Sequence, residues 1–368
     1  MTARETLLMI AIQAPQTYLN RDGLIGEVGD FIEPLASRIL IITSPRAWQA
    51  TSQAIESSLH QHDILYDVVF QQGPCTHQAI DQLATAARTW DAELILGVGG
   101  GRALDCAKAV GDLLGQLPVI AVPTIAATCA AWSPISVIYD GRGAHVAPLP
   151  LKRLPVWVLV DSEVIAHSPA RYLKAGIVDA LAKWYEFQPY LQVETTSLAL
   201  VLKAQAAGLA LETFKRHGAQ AVTDSEDHRV TPALRQVIDA NIALAGLANS
   251  MKDNVARVGV AHAIHNSMTR LPGLHHWLHG EKVGFGLAVQ ALLNTEREEE
   301  RQPLLALLSR FGSPLTLTQL GLADKPDQVE RIARHVRIRS AALLPFAVDS
   351  DTILKALWET EHLAAVAA

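Results

Sequence analysis

The sequence predicts an α/β N-terminal domain over residues 1–165 followed by an all-α C-terminal domain over residues 166–368. Three observations predict it. Apolar strand-like runs alternate with amphipathic helical stretches in the first half; that alternation then gives way to a 3.6-residue rhythm; and 368 residues suffice for two domains with a core each.

The strand-like runs are "LLMIAI", "RILIITS", "ILYDVVF", "AELILGVGG", "LPVIAVPT" and "VWVLVD". They are rich in Val, Ile and Leu and stop at Gly, Pro, Ser or Asp, as strands buried on both faces do. Between them, "PRAWQATSQAIESSLHQH", "THQAIDQLATAARTW" and "GRALDCAKAVGDLLG" carry helical spacing. Strand and helix in alternation imply a parallel, doubly wound sheet. "YDGRGAHVAPLPLKRLP" reads as a hairpin or loop closing this half. From "SPARYLKAGIVDALAKWYEF" onward, segments such as "TSLALVLKAQAAGLALETFKRH" and "ADKPDQVERIARHVRI" are helical in period. "NTEREEERQP" is a solvated charged face.

Composition removes several classes of function. A formal charge of −6 gives no basic face for nucleic acid. The most apolar stretch, "LPVIAVPTIAATCAAW", carries two prolines and is too short to span a bilayer, so no membrane role is expected. The N-terminus lacks the apolar core of a signal peptide. Cys75, Cys106 and Cys129 are odd in number and irregular in spacing, which speaks against a disulfide framework and for a reducing cytoplasm.

Two segments point to chemistry. "AELILGVGGGRALDCAKAV" sets Gly97, Gly99, Gly100 and Gly101 between a strand and a helix, where backbone N–H groups can approach a phosphate. It departs from G-x-G-x-x-G, which would need glycine at Arg102, so a bare tight turn and a pyrophosphate site both fit. "HAIHNSMTRLPGLHHWLHGEK" holds five of fourteen histidines. His262 and His265 are three apart, near one face of a helix, and His279 follows the Pro272-Gly273 break. Two such imidazoles can converge with an acid from a helix of the same domain, and "AGIVDALAKWYE" offers Asp179 on an otherwise apolar face. By spacing alone, a catalytic metal site and ordinary polar residues stand level.

With these segments taken together, the sequence resembles the glycerol dehydrogenase branch of the iron-containing (group III) alcohol dehydrogenases. The match runs in order through "GVGGGRALDCAKAV", "VPTIAATCAAWSPISVIY", "VLVDSEVIAHSPARYLKAGIVDALAKWYE", and "AHAIHNSMT" followed by "HGEKVGFG". The resemblance implies the dehydroquinate synthase-like fold of that family: a nucleotide-binding α/β domain, a helical domain, and a site in the cleft between them. It implies NAD(P)(H) and one divalent metal, Zn2+ by donor type, with Fe2+, Mn2+ or Ni2+ also able to occupy such a set. Asp179, His262 and His279 would be the ligands, with His265 beside them as a catalytic proton relay; His275 and His276 would be surface residues. Ser44, Gly99, Gly100, Gly101, Asp105, Thr124, Ala127, Ser133, Ile135 and Tyr139 would line the cofactor's path. A small-molecule substrate and a homo-oligomer are expected.

Two departures bear on specificity. Glycerol dehydrogenases carry Asp where this chain has Cys129, and the "ATCAAW" version is similar to a hydroxycarboxylate dehydrogenase. The expected reaction is therefore interconversion of a small 2-hydroxy acid and its 2-oxo acid, with Cys129 at the substrate and Arg257 or Lys183 as counter-charge. A polyol dehydrogenase of the same family is the alternative. A dehydroquinate synthase-like lyase would need more Lys and Arg than "AHAIHNSMTRLPG" supplies, and a non-catalytic nucleotide sensor would have broken ligands. Second, "IITSPRAW" places Ser44, Pro45 and Arg46 where a ribose-binding acid is usual, a pattern that admits a 2′-phosphate.

Overall fold

Val- and Ile-rich runs with no polar face fit strands covered on both sides. The computed structural model, which describes residues 10–115, 117–193 and 197–366, covers them in that way. In chain order the first half comprises β1 (Ala11–Ile12), β2 (Thr17–Asn20), α1 (Val28–Ile32), β3 (Arg38–Thr43), α2 (Pro45–Gln61), β4 (Leu65–Phe70) and α3 (His77–Thr89). There follow β5 (Leu94–Gly99), α4 (Gly101–Leu113), β6 (Val119–Pro123), the hairpin β7 (Ile135–Tyr139) and β8 (His145–Pro150), β9 (Trp157–Val160), and α5 (Ser162–Ala166). Six strands form one parallel sheet in the order β2-β9-β6-β5-β3-β4. Ile39 and Ile41 face one buried layer, with Leu24, Ile55 and Leu59; Leu40 and Ile42 face the other, with Ile80, Leu83 and Val110. Helices α2 and α3 begin at Ser44 and Thr76, whose hydroxyls accept from Ala47 N–H and Ala79 N–H.

One strand expectation needs correction. Of "LLMIAI", residues 7–9 lie outside the described residues, and Ala11–Ile12 pair antiparallel with β10 (Met251–Lys252) in the second half. They never join the main sheet: Ile12 is 57% exposed, and Gln13 N–H extends the pairing to the carbonyl of Ser250 at 3.0 Å. The sheet's edge strand is instead "TYLN", β2, whose four half-buried residues carry too short an alternation to announce a strand. The hairpin forms as the sequence suggests, with β7 antiparallel to β8.

The second half is helical: α6 (Ala170–Val193), α7 (Leu198–Glu226), α8 (Pro232–Asp239), α9 (Ala245–Ser250), α10 (Val260–Met268) and α11 (His279–Asn294). It ends with α12 (Glu298–Arg310), α13 (Leu317–Leu320), α14 (Pro326–His335) and α15 (Ser350–Glu359). Ile177 and Leu181 of α6 share one buried cluster with Val158 and Val160 of β9, so α6 is seated against the sheet. The hairpin adds a polar link across the halves, His145 N–H donating to Thr269 Oγ1 at 2.8 Å. No helix among the described residues is long and apolar enough to cross a membrane.

Helix α11 meets α6 almost backbone to backbone. A Cβ on Gly280 would lie 1.9 Å from the carbonyl oxygen of Ala175, so only glycine permits this approach. Gly280→Ala must push the start of α11 outward, at a cost of about 1–3 kcal/mol by the usual penalty for overpacking. A lower thermal unfolding midpoint checks this, with Gly273→Ala as the neutral control, since nothing lies within 4 Å of a Cβ there.

Candidate metal and nucleotide site

Between the two halves runs a cleft of about 1430 Å3. It opens at the carboxyl ends of β3, β5 and β6, where parallel sheets bind ligands. Gly100 is the N-cap of α4 and no side chain satisfies that helix end, which leaves its first N–H groups for a ligand. Ser44, Gly100, Gly101, Asp105, Thr124, Ala127, Ser133, Ile135 and Tyr139 all line the cleft. Gly99 does not. It closes β5 with φ +149° and faces Ala103 and Ala47, so it shapes the turn from behind.

Asp105 lines the cleft with its carboxylate already engaged. Oδ1 lies 3.1 Å from Lys108 Nζ, and Oδ2 accepts from Val137 N–H at 3.2 Å. Lys108 in turn donates to the carbonyls of Ser133 and Ile135 at 3.0 and 2.6 Å. Burial pushes the Asp105 carboxyl up from its ordinary value, against the pull of Lys108. The pair ties α4 to the 124–135 loop and to the foot of the hairpin.

Three donors converge in the same cleft. Asp179 Oδ1 lies 3.1 Å from His262 Nε2 and 3.2 Å from His279 Nε2, and the three ligand atoms are all within 4.8 Å of one another. The helices come together here because Gly259 precedes α10: a Cβ on it would lie 2.1 Å from the Glu186 carboxylate. Glu186 sits seven residues after Asp179 on α6, two turns along the same face. Its Oε1 accepts from His262 N–H at 2.9 Å and its Oε2 lies 2.7 Å from His262 Nδ1.

The donor set fits a divalent ion on its own geometry. With Nδ1 of His262 donating to Glu186, its Nε2 faces Asp179 and offers a lone pair to a metal once its proton is displaced. His279 Nδ1 lies 3.1 Å from His265 Nε2, and His265 Nδ1 lies 3.1 Å from Asn266 Oδ1. If each Nδ1 donates along that chain, His279 Nε2 is also free to ligate. One carboxylate and two imidazoles, each backed by a second acceptor, match a catalytic site with an open position.

The charge state of each group follows from burial set against its neighbours. Burial favours a neutral Asp179, yet Lys183 Nζ at 3.3 Å and the neighbouring imidazoles hold its carboxyl well below the usual range. Burial alone would lower His262; Glu186 and Asp179 outweigh it and push it up to about 9. Burial and then the neighbouring His279 hold His265 well below an ordinary imidazole, so it is neutral. Burial likewise raises the Cys129 thiol, which is therefore neutral too. Cys129 lines the cleft, with Asn249 Nδ2 at 3.5 Å from Sγ, while the Trp132 indole turns away to Ser250 Oγ at 2.9 Å.

Comparison with known proteins shows the family. The profile described as iron-containing alcohol dehydrogenase matches residues 15–162. The chain is 36% identical to a glycerol dehydrogenase of Escherichia coli O6:H1, over 94% of this chain and 95% of that one. It belongs to the iron-containing alcohol dehydrogenase family. This family member is an NAD-dependent dehydrogenase acting on CH–OH groups. It is 33% identical to hydroxycarboxylate dehydrogenase A of Escherichia coli K12, covering 96% and 98% of the two chains. The structure of a probable glycerol dehydrogenase from Sinorhizobium meliloti 1021 superposes with a TM-score of 0.86 at 28% identity, over 96% of this chain and 99% of that one.

Some assignments within this iron-containing alcohol dehydrogenase chain shift once side chains are seen. Arg257 is no counter-charge for a substrate: it is buried against Asp253, Nη1 to Oδ2 at 2.8 Å, and does not line the cleft. Lys183 does line it. His276 is exposed, as expected of a surface residue; His275 is exposed but stands on the cleft's rim, Nε2 at 3.0 Å from Thr269 O. The roles of Glu186 and Asn266 were not read from sequence, although seven-residue spacing from Asp179 is a usable signal for Glu186.

Removing the backing carboxylate should loosen the ion without unfolding the chain. Glu186→Gln is expected to weaken divalent-metal affinity about 10- to 100-fold. Because metal must displace the proton held by His262, apparent affinity should rise with pH, by up to about tenfold per unit, and level off near 9. Competition against a chromophoric chelator across pH checks both; a flat profile would contradict the second.

Proposed function

We propose that the enzyme oxidises a hydroxyl of a small polyol to a carbonyl, with hydride passing to nicotinamide in the cleft. The observation that carries this reading is the Asp179, His262 and His279 cluster in the same cleft as the uncapped glycine turn. Relatives named glycerol dehydrogenase support a polyol better than the 2-hydroxy acid expected from Cys129. In this reading the three donors hold one divalent ion, zinc by donor type. When bound, such an ion polarises the substrate C–O bond and stabilises negative charge on its oxygen.

The chain's own residues prepare that chemistry. Glu186 fixes the His262 tautomer, Lys183 keeps Asp179 ionised, and Asp179, Lys183 and Glu186 are buried away from bulk water. We assign His265 to orienting the His279 ring, with its Nε2 facing His279 Nδ1 and its Nδ1 facing Asn266 Oδ1. Asp179→Ala is expected to abolish nearly all turnover while the α/β half stays folded. Metal content by elemental analysis, with circular dichroism for the fold, checks it.

A 2-hydroxy acid is the second reading, and Cys129 favours it. A neutral thiol beside the donors adds no repulsion to a substrate carboxylate, and Lys183 supplies a cation at the same place. The two readings separate on kcat/KM for glycerol, 2-oxobutyrate and 2-oxoglutarate in the native enzyme and in Cys129→Asp. The polyol reading expects glycerol to be preferred and little changed or improved by the substitution. Preference for the 2-oxo acids, depressed by Cys129→Asp, would replace it with the second.

For the cofactor, we propose that NADPH is accepted at least as well as NADH. Ser44 caps α2 at the cleft's edge and Arg46 lines the cleft two residues on, with only Pro45 between them. Asp caps a helix as well as Ser does, so Ser44→Asp leaves α2 intact while adding a like charge beside a 2′-phosphate. The ratio of kcat/KM values should move toward NADH by about 1–3 kcal/mol. An unchanged ratio would remove this loop from ribose recognition.

A further inference from the structure

Two adjacent residues of α11 are provided for in opposite ways. The Glu281 carboxylate accepts from Arg171 Nε at 2.6 Å, from Arg171 Nη2 at 2.7 Å and from Leu278 N–H at 2.7 Å. Lys282 is only 6% exposed, borders the cleft, and has no side-chain hydrogen bond or ion pair among the described residues. A buried ammonium is costly unless it is paired, and a lysine kept only for its stem sends its charged end to solvent.

The charge that Lys282 meets is of its own sign. Burial, and then the guanidinium of Arg102, push its ammonium down to about 8; Glu281, already engaged by Arg171, offsets this only in part. Arg102 is the second residue of α4, exposed in the cleft directly after the Gly99–Gly101 turn. Lys282 lies three residues after His279, on the same side of α11. Two cations, one from each half, thus border one cavity with the metal donors and an uncapped helix N-terminus, and among the described residues no carboxylate is paired with Lys282.

We propose that Lys282 and Arg102 form a clamp across the cleft for the pyrophosphate of the dinucleotide. The clamp joins the helical half to the α/β half only when cofactor is bound. Arg102 would meet the phosphates from the glycine turn and Lys282 from the opposite wall, each through charge-assisted hydrogen bonds. The inference rests on dinucleotide binding in this cleft and is independent of which alcohol is oxidised. An anionic group on the substrate offers similar chemistry to Lys282, and the experiment separates the two.

The test uses the full-length, metal-loaded enzyme with NADH, ADP-ribose and adenosine as probes. Lys282→Met is expected to weaken NADH and ADP-ribose about tenfold or more, leave adenosine unchanged, and keep full metal content. Lys282→Arg should retain most of the affinity. Without nucleotide, Lys282→Met should melt no lower than the native enzyme, because it removes an unpaired buried charge, and its rise in Tm with NADH should shrink. If Lys282→Met does not fold, Arg102→Met, at an exposed side chain, must show the same loss for NADH and ADP-ribose. Unchanged Kd values for both probes would overturn the clamp. So would a defect confined to the KM of the carbonyl substrate, which would give Lys282 to the substrate instead. Failure of the native enzyme to bind either probe would overturn the clamp and the cofactor reading together.

Discussion

The buried carboxylate of Asp179 is the interaction on which the rest of the site depends. At 3% exposure an ionised acid is tolerated only if its surroundings supply positive charge and donors. Lys183 provides part of this from one turn along α6, and His262 and His279 come from two other helices. Neither imidazole could arrive if the helices kept an ordinary spacing. Gly280 lets α11 lie on the α6 backbone, and Gly259 lets α10 begin against Glu186. The close packing is therefore a requirement of the electrostatics.

That packing also settles how each imidazole is presented. Glu186 holds His262 by both its backbone N–H and its Nδ1, so the ring cannot rotate away from Asp179. His279 leans on His265, whose ring sits edge-on at 4.2 Å between centroids. Glu186 and His265, behind the half-buried His262 and His279, are themselves buried, which keeps water from competing for them.

On the other wall, the Asp105–Lys108 pair plays a comparable part for the nucleotide. Lys108 spends its ammonium on the carbonyls of Ser133 and Ile135, pinning a loop that has little regular structure of its own. Asn241 does the same for the neighbouring Ala126 carbonyl, at 2.8 Å, from a π-helical turn at Ala240–Leu244. The cleft is thus framed by buried polar ties running from both halves into one loop.

Much of this was legible in the residues alone. Strands such as Arg38–Thr43 and Leu94–Gly99 were readable because burial on both faces forces an unbroken apolar run, and the helical half because one buried face imposes a 3.6-residue period. Asp179, His262 and His279 stood out because polar groups on apolar faces need a reason. Other features belong to tertiary structure. "TYLN" is a strand only because β9 pairs with it, whereas Ala11–Ile12, equally apolar, finds its partner in the helical half. Nothing near Arg257 in sequence distinguishes it from Lys183, yet one is consumed by Asp253 and the other faces the cleft. Local periodicity reports which side of an element is buried. Which groups meet there depends on contacts between residues 75 to 100 positions apart, such as Glu186 with His262 and Asp179 with His279. Such contacts exist only once the helices have packed.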